Sequence, residues 1–316
     1  MSPPLPRHLM TAAVCLAALV GPAAFAQTKS KAPAKASAPA KAPAASPCDA
    51  LADDPEDPFR AAPGVETRLI DADKAVAACK AAVEAAPEDG RLRYALSRAL
   101  QRSGDEAGAV DALQRAAERS YPIAENMVGM LYQQQRQPEQ AAQWVRRSAD
   151  HGYLPAQMLL GALYHQGMGV PQDAVQAVAW YRKAADAGYP LAQVALAQLY
   201  HKGDGVPQDD AQALAWNHKA AAANYPGGQS GVGDAYYHGW GVQQDAKQAF
   251  AWYRKAGDQG YPPALAALGV MYHNGEGGAP KDDAKALDYL KQAAELGFAP
   301  AQPLVAALQQ SAAPAK

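Results

Sequence analysis

A short sequence block recurs through the middle of this 316-residue chain, and the constant interval between its copies limits the folds open to it. The copies are 36 residues apart and begin at Tyr164, Tyr200, Tyr236 and Tyr272. Tryptophan recurs at the same interval, from Trp144 to Trp252. Periods of about 20–50 residues are typical of stacked supersecondary units that cannot bury their apolar faces alone. The sequence therefore predicts a repeat protein.

Insertions fall at one place only in the repeated unit. The aromatic that opens a unit and the next aromatic, such as Tyr153 and Tyr164, are always 11 residues apart, and Trp144 and its equivalents precede the next aromatic by 9. The stretch between these two segments varies from 12 to 17 residues. Because packed helices resist insertions and surface loops accept them, each unit is predicted to be a helix–loop–helix. The expected fold class is all-α.

Residues in the variable stretch mark the helix ends. Gly167 and Gly169 suit the positive φ that follows a helix C-terminus. An aspartate begins the second helix of each unit, as an N-cap or first-turn acid would. These aspartates are Asp173, Asp209, Asp245 and Asp282. Alanine recurs on the second helix, where it allows close helix packing, at Ala184, Ala220, Ala256 and Ala293.

The motifs L-G-x-x-Y, G-x-G-V-P-Q-D, A-x-x-W-Y-x-K-A-A and G-Y-x-x-A resemble those of the Sel1-like repeat family, which is related to the tetratricopeptide repeats. Four units between residues 154 and 298 carry them. Units 90–121 and 122–153 are 32 residues long and lack the G-x-G-V loop, so they are more similar to plain tetratricopeptide units. The resemblance implies a right-handed α-solenoid used for protein–protein contact rather than for one chemistry.

The N-terminus has the pattern of a secretory signal peptide. Arg7 and His8 precede an apolar stretch from Leu9 to Val20, and Ala24-Phe25-Ala26 is a small-x-small cleavage site. The apolar stretch is short for a membrane span. We therefore expect residues 1–26 to be removed, leaving an exported protein of the Gram-negative periplasm that is not transmembrane. A lipidated Cys15 is the alternative, but too little apolar sequence precedes it.

Residues 27–47 form a linker of alanine, proline and lysine without acidic residues. Its lysines are Lys29, Lys31, Lys35 and Lys41. Alternating proline favours an extended polyproline II conformation. The linker is interpreted as a solvated spacer, with weak contact to the cell wall or a membrane surface as the alternative.

Two cysteines remain after signal-peptide removal, Cys48 and Cys79. An even number in an oxidising compartment predicts a disulfide, with a redox switch as the alternative. The bridge would fix residues 48–89 as an N-terminal cap, which a stack of repeats requires. Residues 299–316 are expected to supply a C-terminal capping helix and tail.

The charge of the mature chain disfavours nucleic acid as a partner. Residues 48–316 contain 24 basic and 31 acidic residues, a net charge of −7. Binding to phosphate backbones depends on neutralisation by lysine and arginine. We therefore expect a protein or peptide partner and no nucleic acid.

No catalytic motif is present, and we expect no catalytic residue, cofactor or metal. His165, His201 and His273 recur at one position, but equivalent atoms of stacked helices lie about 10 Å apart, whereas metal–ligand bonds are about 2 Å long. Imidazole also suits the last turn of a helix. The alternative is a cell-wall-active or β-lactam-binding enzyme. Family members with β-lactam activity carry a cysteine pair in each repeat, and this chain does not.

The first helix of each unit is expected to line a concave groove. Positions i, i+4 and i+7 of that helix should form an exposed stripe for a partner. The stripe comprises Asn126, Met130, Gln133, Met158, Ala162, His165, Val194, Gln198, His201, Ser230, Asp234, Tyr237, Ala266, Val270 and His273. Its mostly neutral, hydrogen-bonding character suits an extended peptide or a loop of a partner. The tryptophans are interpreted as inter-helix core rather than a sugar-stacking platform.

We therefore predict a non-enzymatic periplasmic scaffold or adaptor that binds a partner in the groove. A role in envelope signalling or in polysaccharide production fits this prediction.

Overall fold

The computed structural model describes residues 45–312 and shows an all-α chain in that range, which confirms the predicted fold class. The predicted signal peptide, most of the predicted linker and the last four residues lie outside the described residues. A 3₁₀ turn at Thr67–Leu69 accompanies the helices. The helices are α1 (Pro47–Ala52), α2 (Ala72–Ala85), α3 (Gly90–Ser103), α4 (Glu106–Glu118), α5 (Pro122–Gln134), α6 (Pro138–Asp150), α7 (Leu154–Gln166), α8 (Ala174–Asp186), α9 (Pro190–Lys202), α10 (Asp210–Ala222), α11 (Pro226–His238), α12 (Ala246–Gly257), α13 (Pro262–Asn274), α14 (Asp283–Glu295) and α15 (Ala301–Ala312).

The described chain divides into two compact units, one up to Trp180 and one from Tyr181 onward. In the N-terminal unit α3 packs on α4, α5 on α6, and α6 on α7. In the C-terminal unit each helix from α9 to α15 packs on the next. The first helices α9 and α11 also touch. Each unit is therefore a solenoid-like stack of helix pairs. None of the helices within residues 45–312 has the length and apolarity that a membrane crossing requires.

The boundaries of the helices follow from the residues that the motif repeats. Tyr189 is the N-cap of α9, proline occupies the first helical position, and Gly203 ends the helix in the left-handed conformation. The second helix, α10, begins at Asp209, whose side chain accepts a hydrogen bond from the Gln212 N–H. Asp173, Asp245 and Asp282 make equivalent hydrogen bonds, which confirms the predicted N-caps.

The second glycine of the loop allows one repeat to pack on the preceding one. Gly241 has φ of +67°, and a Cβ atom there would collide with the backbone of Asp210, at the start of the preceding second helix. Gly169 and Gly277 lie in the same way against Pro138 and Ala246. Close backbone approach excludes any side chain at this position. The second glycine of the G-x-G motif therefore lies at a contact between consecutive repeats.

The interior consists of alanine and a few large side chains. The predicted close-packing alanines are fully buried, and Trp180 and Trp216 are buried beside them. Lys219 Nζ lies 3.4 Å from the centroid of the Trp216 ring, and Lys255 Nζ lies 3.8 Å from that of Trp252. These lysines cover the outer faces of the rings through cation–π contacts. The interpretation of the tryptophans as core is confirmed for Trp180 and Trp216.

Both ends of the described chain have caps. The predicted disulfide joins Cys48 of α1 to Cys79 of α2 across 31 residues, and both cysteines are fully buried. They belong to an apolar cluster with Leu92 and Ala95 of α3. At the other end α15 packs on α13 and α14 through Leu304 and Leu308.

Candidate protein-interaction surface

The stripe residues of the N-terminal unit differ in exposure. Met130 is 36% exposed, and Gln133 and His165 are partly exposed. Asn126 and Met158 are buried, so the expected exposure does not hold for them. The exposed part of the stripe in this unit therefore contains fewer residues than the i, i+4 and i+7 spacing predicted.

In the C-terminal unit the open part of the stripe lies on α9 and α11. Val194, Gln198, His201 and Asp234 are partly exposed. Ser230, Tyr237, Val270 and His273 are buried, contrary to expectation. The two alanines of the stripe are buried as well, Ala162 on α7 of the N-terminal unit and Ala266 on α13.

Tertiary contacts explain these buried positions. Val270 packs in the cluster that Leu304 and Leu308 of α15 form. Tyr237 packs with Met271 of the following repeat and donates a hydrogen bond to Glu276 Oε2 at 2.7 Å. Replacement of Tyr237 would therefore disturb packing rather than a binding surface alone.

The recurring histidines have a structural partner. His201 Nδ1 lies 2.7 Å from Asp210 Oδ1, and His273 Nδ1 lies 2.6 Å from Asp283 Oδ1. Each pair joins the end of a first helix to the start of the second across the glycine loop. The aspartate doublets Asp209–Asp210 and Asp282–Asp283 occur in these two repeats and are the sequence signal that spacing analysis missed.

Asp234 is the acidic residue of the open stripe. Its Oδ1 accepts a hydrogen bond from Tyr253 Oη at 2.7 Å, and Tyr253 is fully buried. Burial raises the pKa of Asp234 to about 6, while the Tyr253 hydrogen bond and nearby His201 oppose that rise. Among the described residues no lysine or arginine forms an ion pair with Asp234. Its negative charge is thus only weakly compensated.

Trp240 adds an aromatic ring that packs against His201 and His238. It lies in the loop between Gly239 and Gly241 and is partly exposed. Its ring stacks on His238 at 4.4 Å and lies 4.1 Å from the ring of His201, centroid to centroid. The equivalent loop residues in the other repeats are Met168, Asp204 and Glu276. Trp240 is therefore specific to one repeat, and sequence analysis missed it because it lies outside the helical stripe.

The N-terminal cap contains a polar network that was also missed. Residues 53–65, here called the cap loop, close on themselves through Val65 N–H and Asp53 O at 2.7 Å. Arg98 of α3 donates to Ala52 O at 2.7 Å and to Val65 O at 2.8 Å. Tyr94 Oη donates to Asp54 Oδ2 at 2.8 Å. The loop thereby covers the face of α3 that corresponds to the stripe.

Aspartates of the cap loop are held in low-polarity surroundings. Asp57 accepts a hydrogen bond from the Tyr121 hydroxyl, and burial raises the pKa of Asp57. Burial also raises the pKa of Asp53, although its carboxylate accepts two backbone N–H groups at 3.0 Å. Arg91 forms a buried ion pair with Asp49. This network fixes the cap loop to the helices beside it.

Comparison with known proteins places these repeats in a wider group. A family model described as Sel1 repeat matches residues 122–153, 154–189, 190–225, 226–261 and 262–298, more than half of the chain. The match includes 122–153, although that unit lacks the glycine loop. No match was found among curated proteins.

The chain is similar to several solved structures, among them two bacterial repeat proteins. The first is c5321, a protective antigen of uropathogenic Escherichia coli with an SLR fold; it is 29% identical, has a TM-score of 0.64, and the match covers 76% of this chain and 53% of c5321. The second is a Sel1 repeat protein from Oxalobacter formigenes, 28% identical with a TM-score of 0.62, and the match covers 67% of this chain and 86% of that protein. The chain thus spans about half the length of c5321.

Proposed function

The chain belongs to the Sel1 repeat family, and from that membership we propose that it is a non-enzymatic scaffold or adaptor that binds a partner protein or peptide. The observation that supports this proposal is the open face of α9 and α11, formed by Val194, Gln198, His201 and Asp234. Repeat packing leaves these side chains partly accessible. A peptide or loop laid across two neighbouring helices would contact all of them.

We place the protein, as part of the same proposal, in the Gram-negative periplasm after cleavage behind Ala26. The buried Cys48–Cys79 disulfide supports an oxidising compartment. Residues 27–47 would then act as a spacer, and the partner would belong to envelope signalling or polysaccharide production. Mass spectrometry of the exported protein tests this point, since a mature N-terminus other than Gln27 would contradict the cleavage site.

Site-specific photo-crosslinking tests the binding face. A photoreactive residue replaces Gln198 on α9, and the matched control replaces Gln212, an exposed glutamine on α10 of the same repeat. We expect a partner to crosslink at position 198 and not at 212 in intact cells. Equal crosslinking at both positions, or at neither, would count against this face.

The enzymatic alternative has a direct test. Incubation of the mature protein with a chromogenic β-lactam is expected to give no turnover above that of the buffer. Turnover that persists through purification would replace the scaffold proposal with a hydrolase.

A further inference from the structure

The helix α15 has the register of the first helix of a further repeat. The pair Ala-Gln stands three and four residues after Phe298, as it does after Tyr189 at the start of α9. In this register Ala306 of α15 is the equivalent of Ala197 of α9. The first helices α9, α11 and α13 each pack on the second helix that follows them. Within residues 45–312 no second helix follows α15.

The side of α15 on which a second helix would pack is open. Gln302 and Ala306 are exposed and Val305 is partly exposed. The equivalent side chains of α9 are buried, with exposures of 6% for Gln193, 0% for Leu196 and 1% for Ala197. The open side forms a cleft of about 260 Å³, here called the end cleft, between α14 and α15. Its walls include Lys291, Ala294 and Glu295 of α14 and Gln302, Val305 and Ala306 of α15.

The position of Ala306 is a direct contact with the second helix in complete repeats. A Cβ atom added to Gly233 of α11 would lie 2.7 Å from Tyr253 Cδ1 of α12. A Cβ atom added to Gly269 of α13 would lie 2.7 Å from Leu290 Cγ of α14. Helices at this position therefore pack closely. A helix in the end cleft would contact Ala306 in the same way.

The α14 wall of the end cleft corresponds to residues that face the next second helix. Lys291 and Glu295 are the equivalents of Arg254 and Asp258 of α12. Burial raises the pKa of Tyr289 on α14, and Asp258 adds to that rise while Arg254 opposes it. These two charged groups of α12 thus lie near α14. Lys291 and Glu295 are placed in the same way toward a helix in the end cleft.

A second copy of the chain is a poor source of that helix. The second helices α10, α12 and α14 are each packed between two first helices. The helix α2 precedes unit 90–121 as a second helix would, but α1 packs on it and the buried Cys48–Cys79 bridge holds the two together. These helices are not free to leave their own array. The end cleft is thus left to a helix of a different protein.

We propose that the end cleft binds an amphipathic helix of a partner protein, which packs on Val305 and Ala306 as a second helix and completes the last repeat. An aromatic side chain of that helix lies beside Lys291 and Glu295, as Tyr289 lies beside α12. The site shares no residue with the open face of α9 and α11. The two surfaces therefore serve different binding partners or different segments of one partner.

A peptide of α10 is the probe, because α10 packs on α9 and α9 has alanine at the position of Ala306. It also has Asn217 where α12 has the larger Tyr253. A labelled peptide of residues 208–224 is titrated with the chain that begins at Gln27, and fluorescence anisotropy measures binding. Because an isolated helix of this length is marginally stable, we expect saturable binding with a Kd of roughly 10–100 μM.

The control peptide carries A213E, a charge at a position that is buried in the repeat. We expect it to bind at least ~10-fold more weakly than the α10 peptide. Absence of saturable binding, or equal binding of the two peptides, would overturn the inference.

Substitutions assign the contact to the end cleft. A306W fills the cleft and A306E places a charge in it, and each is expected to weaken peptide binding at least ~10-fold. The matched control is A307W, at an exposed position of α15 that does not line the cleft. Circular dichroism checks that every variant remains helical. If A306W and A307W bind the peptide alike, the site is not at the end cleft.

Sedimentation of the chain alone tests whether a second copy fills the end cleft. We expect a single species with the mass of a monomer. A dimer that A306W dissociates would overturn the inference, because the occupant would then be an identical chain.

This proposal and the scaffold proposal fail separately. Partner crosslinking at Gln198 without peptide binding would leave the open face of α9 and α11 in place and refute the end cleft. Peptide binding that A306W abolishes would support the end cleft even if position 198 yields no crosslink.

Discussion

In three repeats the fourth residue of the first helix is a glutamine, and its hydrogen bonds differ from one repeat to another. Gln157 and Gln193 donate from Nε2 to Ala149 O at 3.2 Å and to Ala185 O at 3.1 Å, and the Oε1 of each glutamine is buried without a hydrogen-bond partner. In a later repeat Gln229 Oε1 accepts from Gln259 Nε2 at 2.8 Å. A donor in the turn that follows the second helix thus completes the hydrogen bonding of this glutamine.

A hydrogen-bond donor introduced at Ala223 should stabilise the repeat in which Gln193 Oε1 has no hydrogen-bond partner. Ala223 stands 36 residues before Gln259, as Gln193 does before Gln229. We expect A223Q to raise the free energy of unfolding by about 1 kcal/mol, because its amide would donate to Gln193 Oε1. Urea unfolding measures the change. A223E, which has no donor, is the control, and equal stability of the two variants would contradict the prediction.

The carboxyl group of Asp234 should make stability depend on pH. Its pKa is about 6 in the folded state, above the ordinary value of 3.8, so folding favours the protonated acid. The stabilisation from protonation is complete below pH ~4 and is lost as the pH rises through about 6. We expect D234N to be more stable than the natural protein at pH 8, by roughly 1–3 kcal/mol, and nearly equal to it at pH 4. Urea unfolding at both pH values measures this, and a gain that is the same at pH 4 and pH 8 would refute it.

The glycine loop is the element on which repeat stacking depends. Gly241 combines a φ of +67° with contact to the Asp210 backbone, whereas Gly260 has a φ of +74° and no atom within 4 Å of an added Cβ. A side chain at position 260 would therefore cause backbone strain alone, whereas a side chain at position 241 would cause both strain and a steric collision.

Alanine at these two positions should have unequal effects. G260A is expected to lower the unfolding free energy by about 1 kcal/mol through strain alone. G241A is expected to lower it by at least ~2 kcal/mol more, because the loop must move away from α10. Thermal and urea unfolding compare the variants. Equal losses would mean that the loop contact carries no stabilisation.

Helix positions followed from the sequence because insertions are confined to loops, so the aromatics at constant spacing fixed both helices of a unit. The exposure of the stripe residues could not be predicted from the sequence in the same way, because it depends on side chains supplied by other helices. Val270 is covered by Leu304 and Leu308 of α15, a helix without the aromatic markers of the repeat. The contact between His201 and Asp210 and the position of Trp240 likewise depend on how the loop folds back.

At the scale of the whole molecule, stability depends on closing the ends of the stack. A repeat array has no long-range core, so an uncapped end exposes an apolar face. Here α15 closes the C-terminal unit, and the Cys48–Cys79 bridge with the cap loop closes the N-terminal unit.

Removal of the disulfide should destabilise the N-terminal unit. The bridge spans 31 residues, and loop-closure entropy predicts a loss of roughly 3–4 kcal/mol for a C48A/C79A variant. Hydrogen exchange should rise most in α1, α2 and α3, with less change from α9 onward. A loss spread evenly over both units would contradict this local role.

The contacts of Gly169, Gly241 and Gly277 with the start of the preceding second helix give these repeats the same kind of mating surface. A further 36-residue cassette inserted after Tyr225 would meet a matching neighbour on either side. Gene duplication could therefore lengthen or shorten such an array one module at a time, and so adjust how many helices a bound molecule spans.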